Sequence, residues 1–153
     1  MTTSISNDDR TLQLDTYWPY LVTVLSDRIA RRTSRIVKDK GLNLSQWRVM
    51  AAIADAPGRT SVEVTAITPM DKGIVSRATK ALLSLGYVRR QASDSDGRIS
   101  HLYLTDTGHA LYQSLIGEID TVLDDADFQL SDETKSRFSA QLAELIRVIP
   151  DLR

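Results

Sequence analysis

The stretch TPMDKGIVSRATKALLSLGYVRRQASDSDGRISHLYLT, residues 68–105, reads as one amphipathic helix followed by two short strands around a charged turn. From Asp71 to Leu85 the apolar residues Ile74, Ala78, Ala81, Leu82 and Leu85 recur at helical spacing, and Lys72, Ser76, Arg77 and Lys80 fall on the opposite side. One face is suited to packing and the other to phosphates. Thr68, Pro69 and Asp71 supply an N-cap, a first-turn proline and a capping-box acid in order, which gives the helix a defined start. Gly86 closes it as a left-handed cap, and Tyr87 to Gln91 has the β-branched and aromatic character of a strand. Ser93, Asp94, Ser95, Asp96 and Gly97 are turn formers, and Ile99 to Leu104 returns as the partner strand, so Arg98 sits near the tip of a hairpin. A helix entering such a charged hairpin is the outline of a winged helix-turn-helix.

Outward from this segment the chain reads as helices. Leu14, Trp18, Leu21, Leu25, Ile29 and Ile36 keep to one face up to about Lys38, and Pro19 is tolerated where the regular helix begins near Tyr17. Gly41 ends that helix. Ser45 to Asp55 forms a second, with Trp47, Met50, Ala51 and Ala54 inward, broken by Pro57 and Gly58. Thr60 and Glu63 make a capping box for a short third helix reaching about Thr68, with Val64 and Ile67 as core candidates. After the hairpin, Thr105 caps a long helix to about Ala126, striped by Leu111, Leu115, Ile119, Val122 and Ala126. Ser131 caps the last, striped by Phe138, Leu142, Leu145 and Ile149 and stopped by Pro150.

The expected class is therefore mainly α with a small β-hairpin wing, an α+β winged helix-turn-helix. Residues 1–13 are expected as a mobile tail and residues 14–153 as a single domain. Within it the winged unit occupies about 44–105, and dimerisation helices occupy about 14–40 and 106–150. A compact winged domain has no use for three long apolar-striped helices at the chain ends, so they predict a homodimer with a helical layer beneath two reading lobes. A helical cap folded onto a monomer is the alternative.

Charge is distributed rather than abundant. The chain is formally −1 over 153 residues. Between Pro57 and His101, however, Arg59, Lys72, Arg77, Lys80, Arg89, Arg90 and Arg98 stand against Glu63, Asp71, Asp94 and Asp96, a net +3, while the chain from Leu102 onward is −6. Only the middle segment suits a polyanion. With no cysteine, disulfides, thiolate metal sites and a cysteine redox switch are excluded. Asp94-Ser95-Asp96-Gly97 places its glycine too early for a calcium loop, and His101 and His109 make a poor transition-metal pair, so neither metal nor cofactor is expected. No glycine-rich phosphate loop, nucleophile elbow or paired-carboxylate motif points to an enzyme. The polar start and the lack of a long apolar run predict a cytoplasmic protein with no membrane partner.

Several short motifs, in order, resemble those of the MarR family of multiple-antibiotic-resistance transcriptional regulators. They are Leu44-Ser45-Gln46-Trp47-Arg48-Val49-Met50, Asp71-Lys72 with Val75-Ser76-Arg77, Leu85-Gly86-Tyr87-Val88-Arg89-Arg90, Asp96-Gly97-Arg98, and Leu104-Thr105-Asp106-Thr107-Gly108. The resemblance spans about Leu14 to Ile149. It implies a homodimer that lays two recognition helices in the major groove of double-stranded DNA and two wings against the minor groove. It also implies a ligand-responsive repressor on a pseudo-palindromic operator, released by a small aromatic or phenolic effector. By position, Ser76 and Arg77 take the base- and backbone-contacting turns with Lys72 and Lys80 beside them. Arg98 is the wing arginine, Asp96 supports the wing by pairing with a basic residue, and Thr60 is placed for a phosphate. Tyr17, Trp18, Trp47 and Tyr112 are the aromatic candidates for an effector pocket. Ser93, Gly73 and Ile74 depart from the family's pattern, in the wing and in the first turn of the recognition helix. The alternative function is a winged-helix protein–protein interaction module without operator binding.

Overall fold

The computed structural model describes residues 11–123 and 130–152. Six helices and one hairpin follow in the order α1 (Trp18–Asp39), α2 (Leu44–Asp55), α3 (Ser61–Ile67), α4 (Lys72–Ser84), β1 (Val88–Ala92), β2 (Ser100–Leu104), α5 (Asp106–Leu123) and α6 (Asp132–Val148). The arrangement is the mainly helical fold with a two-stranded wing expected from the sequence. The proposed tail lies for the most part in residues 1–10, outside the described residues, as does Ala126 of the fifth-helix stripe.

Local chemistry sets the helix ends. Tyr17 is the N-cap of α1 and Pro19 falls in its first turn, where a missing N–H costs nothing. Asn43 and Gln46 form a reciprocal capping box on α2, and Thr60 and Glu63 form another on α3. The start of α4 differs from the sequence reading. Its N-cap is Asp71, whose Oδ1 accepts from the Ile74 amide at 2.7 Å, whereas Thr68 belongs to the end of α3 and donates its hydroxyl to the Val64 carbonyl at 2.8 Å. Two cap signals stood three residues apart, and the later one, Asp71, took the role. At the other end Gly86, at φ +75°, lets the Tyr87 amide reach the Leu82 carbonyl at 3.0 Å and its own amide reach Leu83 at 3.1 Å.

The core lies between α2, α4 and the wing, with Val37 of α1 and Leu115 and Ile119 of α5 closing it from outside. Val49, Met50, Ile53, Val64, Val75, Leu82 and Leu102 are almost wholly buried. The stripe of α4 runs through Val75, Ala78, Thr79 and Leu82. Ile74 and Ala81 are only half-buried, and Leu85, expected in the stripe, is exposed, as is Ile67 on α3. In α2 the fully buried side chains are Val49, Met50, Ala52 and Ile53; Trp47, Ala51 and Ala54 flank them half-buried.

The hairpin is antiparallel, with Val88 opposite Leu104 and Arg90 opposite Leu102. Its far edge gains a third backbone segment, since the Gly58 amide donates to the Leu102 carbonyl at 2.8 Å and the Leu102 amide to Arg59 at 2.9 Å. His101 adds a bond from Nδ1 to the Gly58 carbonyl at 2.7 Å, so the end of α2 is tied to the wing.

The outer helices carry apolar faces that the chain itself leaves uncovered. Trp18, Leu21, Leu25 and Ile29 share one face of α1 and keep 51, 43, 40 and 39% of their surface exposed. No residue of α6 is buried, and Phe138, Ile146, Val148 and Ile149 are exposed. An intramolecular helical cap would bury these stripes, and among the described residues they stay largely exposed. Among the described residues no helix is long and apolar enough to cross a membrane.

Candidate nucleic-acid interface

Packing of Val75, Ala78, Thr79 and Leu82 into the core turns the other side of α4 to solvent, and Lys72, Gly73, Ser76, Arg77 and Lys80 are all exposed there. These four polar side chains share the face expected of them. Gly73 has a specific place in it: a Cβ at this position would stand 3.3 Å from Nη1 of Arg77 and 3.2 Å from Oδ1 of Asp71. The Arg77 side chain thus folds back over the first turn of α4, and the glycine leaves it room. Ile74, the other departure from the family's pattern, is half-buried against the core and does not belong to the exposed face.

The wing carries Arg98 at its turn, fully in solvent. Asp96 supports that turn through the backbone, with Oδ1 accepting from the Arg98 amide at 3.0 Å, rather than through an ion pair with a basic side chain. The Ile99 amide donates to the Asp96 carbonyl at 3.0 Å and the Ser93 amide to the Ile99 carbonyl at 2.9 Å. Ser93 accepts from the Ser95 amide at 3.4 Å, so the serine holds the turn that the family's usual aspartate would hold.

Thr60 lies at the start of α3 as expected, with its hydroxyl already engaged. It donates to Glu63 Oε2 at 3.1 Å and accepts from the Glu63 amide at 3.2 Å, while the Thr60 amide donates to Glu63 Oε2 at 2.7 Å. That backbone bond, followed by the hydroxyl bond, holds the Glu63 carboxyl below the usual range. Arg59, one of the segment's cations, is committed internally, bonding the Ala52 carbonyl and the Asp55 carboxylate at 2.6 Å each. Arg89 lies 4.5 Å above the Tyr103 ring.

Of the four aromatic pocket candidates the fold brings together two. Trp47 and Tyr112 stack at 5.5 Å with an 18° tilt. Trp47 also lines a cleft of about 340 Å³ between α1, α2 and α6, walled by Leu25, Ile29, Phe138 and Leu142. Tyr17 and Trp18 lie exposed at the start of α1 and do not line it. The sequence reading missed three polar residues of the cleft, Ser26, Thr33 and Arg48. Thr33 is 6% exposed, and Arg48 has no carboxylate partner among the described residues. Trp47's neighbour in the quoted motif was the available signal for Arg48.

The reading lobe is joined to α5 by one residue. The Thr105 hydroxyl donates to the Gly86 carbonyl at 2.6 Å and accepts from the Gly108 amide at 3.0 Å, and its amide donates to Tyr87 at 3.0 Å. The end of α4 and the beginning of α5 are thereby fixed to each other. Lys40 at the end of α1 pairs with Glu118 of α5 at 2.9 Å, and this bond holds the Glu118 carboxyl below its ordinary value.

Residues 40–99 match the sequence profile described as the MarR family. Among solved structures, a MarR-family transcriptional regulator from Silicibacter pomeroyi superposes with a TM-score of 0.80 at 24% identity, covering 94% of this chain and 100% of its own. CouR from Rhodococcus jostii, solved bound to p-coumaroyl-CoA, superposes at 0.79 with 16% identity over 92% of this chain and 99% of its own. A mutant MarR from E. coli complexed with operator DNA gives 0.68 at 20% identity, over 83% of this chain and 91% of its own. Comparison with curated proteins gives no match.

Proposed function

We propose that this chain, a MarR-family protein by the match of residues 40–99 and by its fold, is a cytoplasmic, non-catalytic regulator that binds a pseudo-palindromic operator as a homodimer. The observation that carries the reading is a division of surfaces. Lys72, Ser76, Arg77 and Lys80 on α4 and Arg98 on the wing are exposed and cationic or polar, while the exposed apolar side chains gather mainly on α1 and α6, with Val62, Ile67, Leu85 and Ile99 outside them. The first set meets DNA and the second meets another copy. That an E. coli MarR mutant of the same fold was solved on operator DNA supports the assignment.

In this reading two α4 helices enter successive major grooves about 34 Å apart, with Ser76 and Arg77 at base edges and Lys72 and Lys80 on phosphates. Arg98 enters the minor groove. Thr60 reaches a phosphate from the start of α3 only if it gives up its bond to Glu63, since its hydroxyl hydrogen is already donated. Repression follows from occupancy of the operator.

The cleft at Trp47, whose walls Leu25, Ile29 and Phe138 also belong to the faces that meet the second copy, is the effector site at that seam. Its apolar walls suit an aromatic ring and Arg48 suits an acid group, and CouR's complex with p-coumaroyl-CoA supports an aromatic or phenolic effector. An effector there favours one separation of the lobes and releases DNA by its preference between the two states. The test is operator affinity measured across salt. A steep fall with rising salt, reporting several phosphate contacts, is expected. Affinity for duplexes that is absent or independent of salt would favour the protein-interaction module instead.

A further inference from the structure

A second concentration of positive charge lies on α1, outside residues 57–101, and the operator reading leaves it unused. Between Arg28 and Ile36 the sequence holds four arginines and no acid. Arg28, Arg31, Arg32 and Arg35 are spaced i, i+3, i+4 and i+7, so successive turns set them in a row along one face of the helix, over about 10 Å. All four line one cleft of about 420 Å³, closed by the half-buried Ile36 and by Val122 of α5. No acid and no aromatic side chain lines it among the described residues. Arg31 pairs with Asp27 and Arg32 has a contact of its own, whereas Arg28 and Arg35, at the two ends of the row, make no ion pair or hydrogen bond among those residues. Like charges three and four residues apart on a helix repel, so the row costs the fold stability that Asp27 offsets only in part.

We propose that this row binds a linear polyphosphate group, either free or carried by a nucleoside triphosphate. The length of the row selects a chain of charges, since a single phosphate can engage one end of it but not Arg28 and Arg35 together. Four guanidiniums also favour phosphate over other anions, because each presents paired N–H donors in a plane that matches two phosphate oxygens. With no ring to stack on, the cleft recognises charge rather than an aromatic group. A bound polyphosphate neutralises the repulsion within α1 and stabilises the folded chain.

The test is calorimetric titration of the purified full chain with tripolyphosphate, orthophosphate and adenosine triphosphate, without DNA, so its result is independent of operator reading. Tripolyphosphate is expected to bind saturably, to raise the thermal midpoint and to bind at least about tenfold more tightly than orthophosphate. The double variant Arg28→Gln with Arg35→Gln is expected to weaken it about tenfold or more, the loss of charge-assisted hydrogen bonds. Arg137→Gln with Arg147→Gln, the same change of net charge made at exposed positions of α6, is expected to leave it unaltered. Adenosine triphosphate binding as tripolyphosphate does makes the phosphate chain the whole ligand, and tighter binding makes a nucleoside triphosphate its source. Equal affinity for orthophosphate, or binding that is lost in Arg77→Ala and kept in the Arg28 and Arg35 variant, would overturn the proposal. An unresponsive parent would overturn it too, and would assign the row to a second copy if the variant sediments as a monomer, or to duplex backbone if the variant lowers the salt slope on random DNA.

Discussion

The carbonyl oxygen of Tyr87 occupies the place where a Cβ on Gly108 would stand, far inside any normal contact distance. This is backbone against backbone, so nothing flexible can give way. The approach lets Thr105 bridge Gly86 and Gly108, and through it the end of α4 is tied to the start of α5. Gly108→Ala is expected to destabilise the fold by about 3 kcal/mol, at the upper end of ordinary overpacking. Urea denaturation reads it directly; no loss, or the small gain an exposed helical glycine-to-alanine change gives, would show that the close approach is absent in solution.

Thr79 gives the opposite expectation. It is fully buried in α4 and its hydroxyl has no hydrogen-bond partner. Thr79→Val keeps the shape and removes an unsatisfied polar atom, so stability is expected to rise by about 1 kcal/mol with operator affinity unchanged. A fall in the urea midpoint would indicate a partner for that hydroxyl.

Substitutions at Arg77 and Lys80 test the proposed division between base reading and phosphate binding. Arg77→Ala is expected to weaken operator binding by about 1–3 kcal/mol and to relax sequence preference, whereas Lys80→Ala weakens all duplexes alike and lowers the salt slope by about 1. Competition titrations with operator and scrambled duplexes at several salt concentrations distinguish the two. Preference unchanged in Arg77→Ala would make it a phosphate contact.

The acid side of the stability profile follows from Glu63 and Glu118. Both carboxyls are held below their ordinary value, Glu63 by the Thr60 amide and hydroxyl and Glu118 by Lys40. The folded state thus binds fewer protons than the unfolded one. Their contribution is complete above the unfolded carboxylate pKa and is lost as pH falls through the lowered folded values. Glu63→Gln preserves the capping box without the charge. Its thermal midpoint is expected to fall less than the parent's on acidification, and parallel curves would contradict this.

Much of this was legible in the chain because it is written in local chemistry. The Thr60 and Glu63 box, the left-handed Gly86 and the charged turn before Arg98 each act within a few residues, and each formed as read. Readings that needed distant partners fared differently. Thr68 looked like the cap of α4 because only the third helix's true end could claim it. Thr79 carries no sequence signal for burial, yet the packing of α4 buries it. Gly108 gave no sign of its contact with Tyr87, which lies 21 positions earlier in the chain and in another element. Tyr17 and Trp18 join Trp47 as aromatics on the helices where the resemblance implies a pocket, and the helix start carries them away from the cleft.

The apolar stripe of α1 was recognised, but its exposure appears only in three dimensions. Leu25→Glu with Ile29→Glu puts charge into that face and is expected to convert the dimer to monomer in sedimentation without unfolding it, since both side chains are exposed in the single chain. A doubly substituted chain that still sediments as a dimer would place the interface elsewhere.

Selection of bound duplexes from a random pool by the purified protein, at two salt concentrations, reaches the central claim most directly. Two inverted half-sites centred about one helical turn apart (roughly 34 Å) are expected, with recovery falling sharply at the higher salt. Recovery of unrelated sequences, or of single half-sites without symmetry, would contradict a dimer reading its operator through two α4 helices.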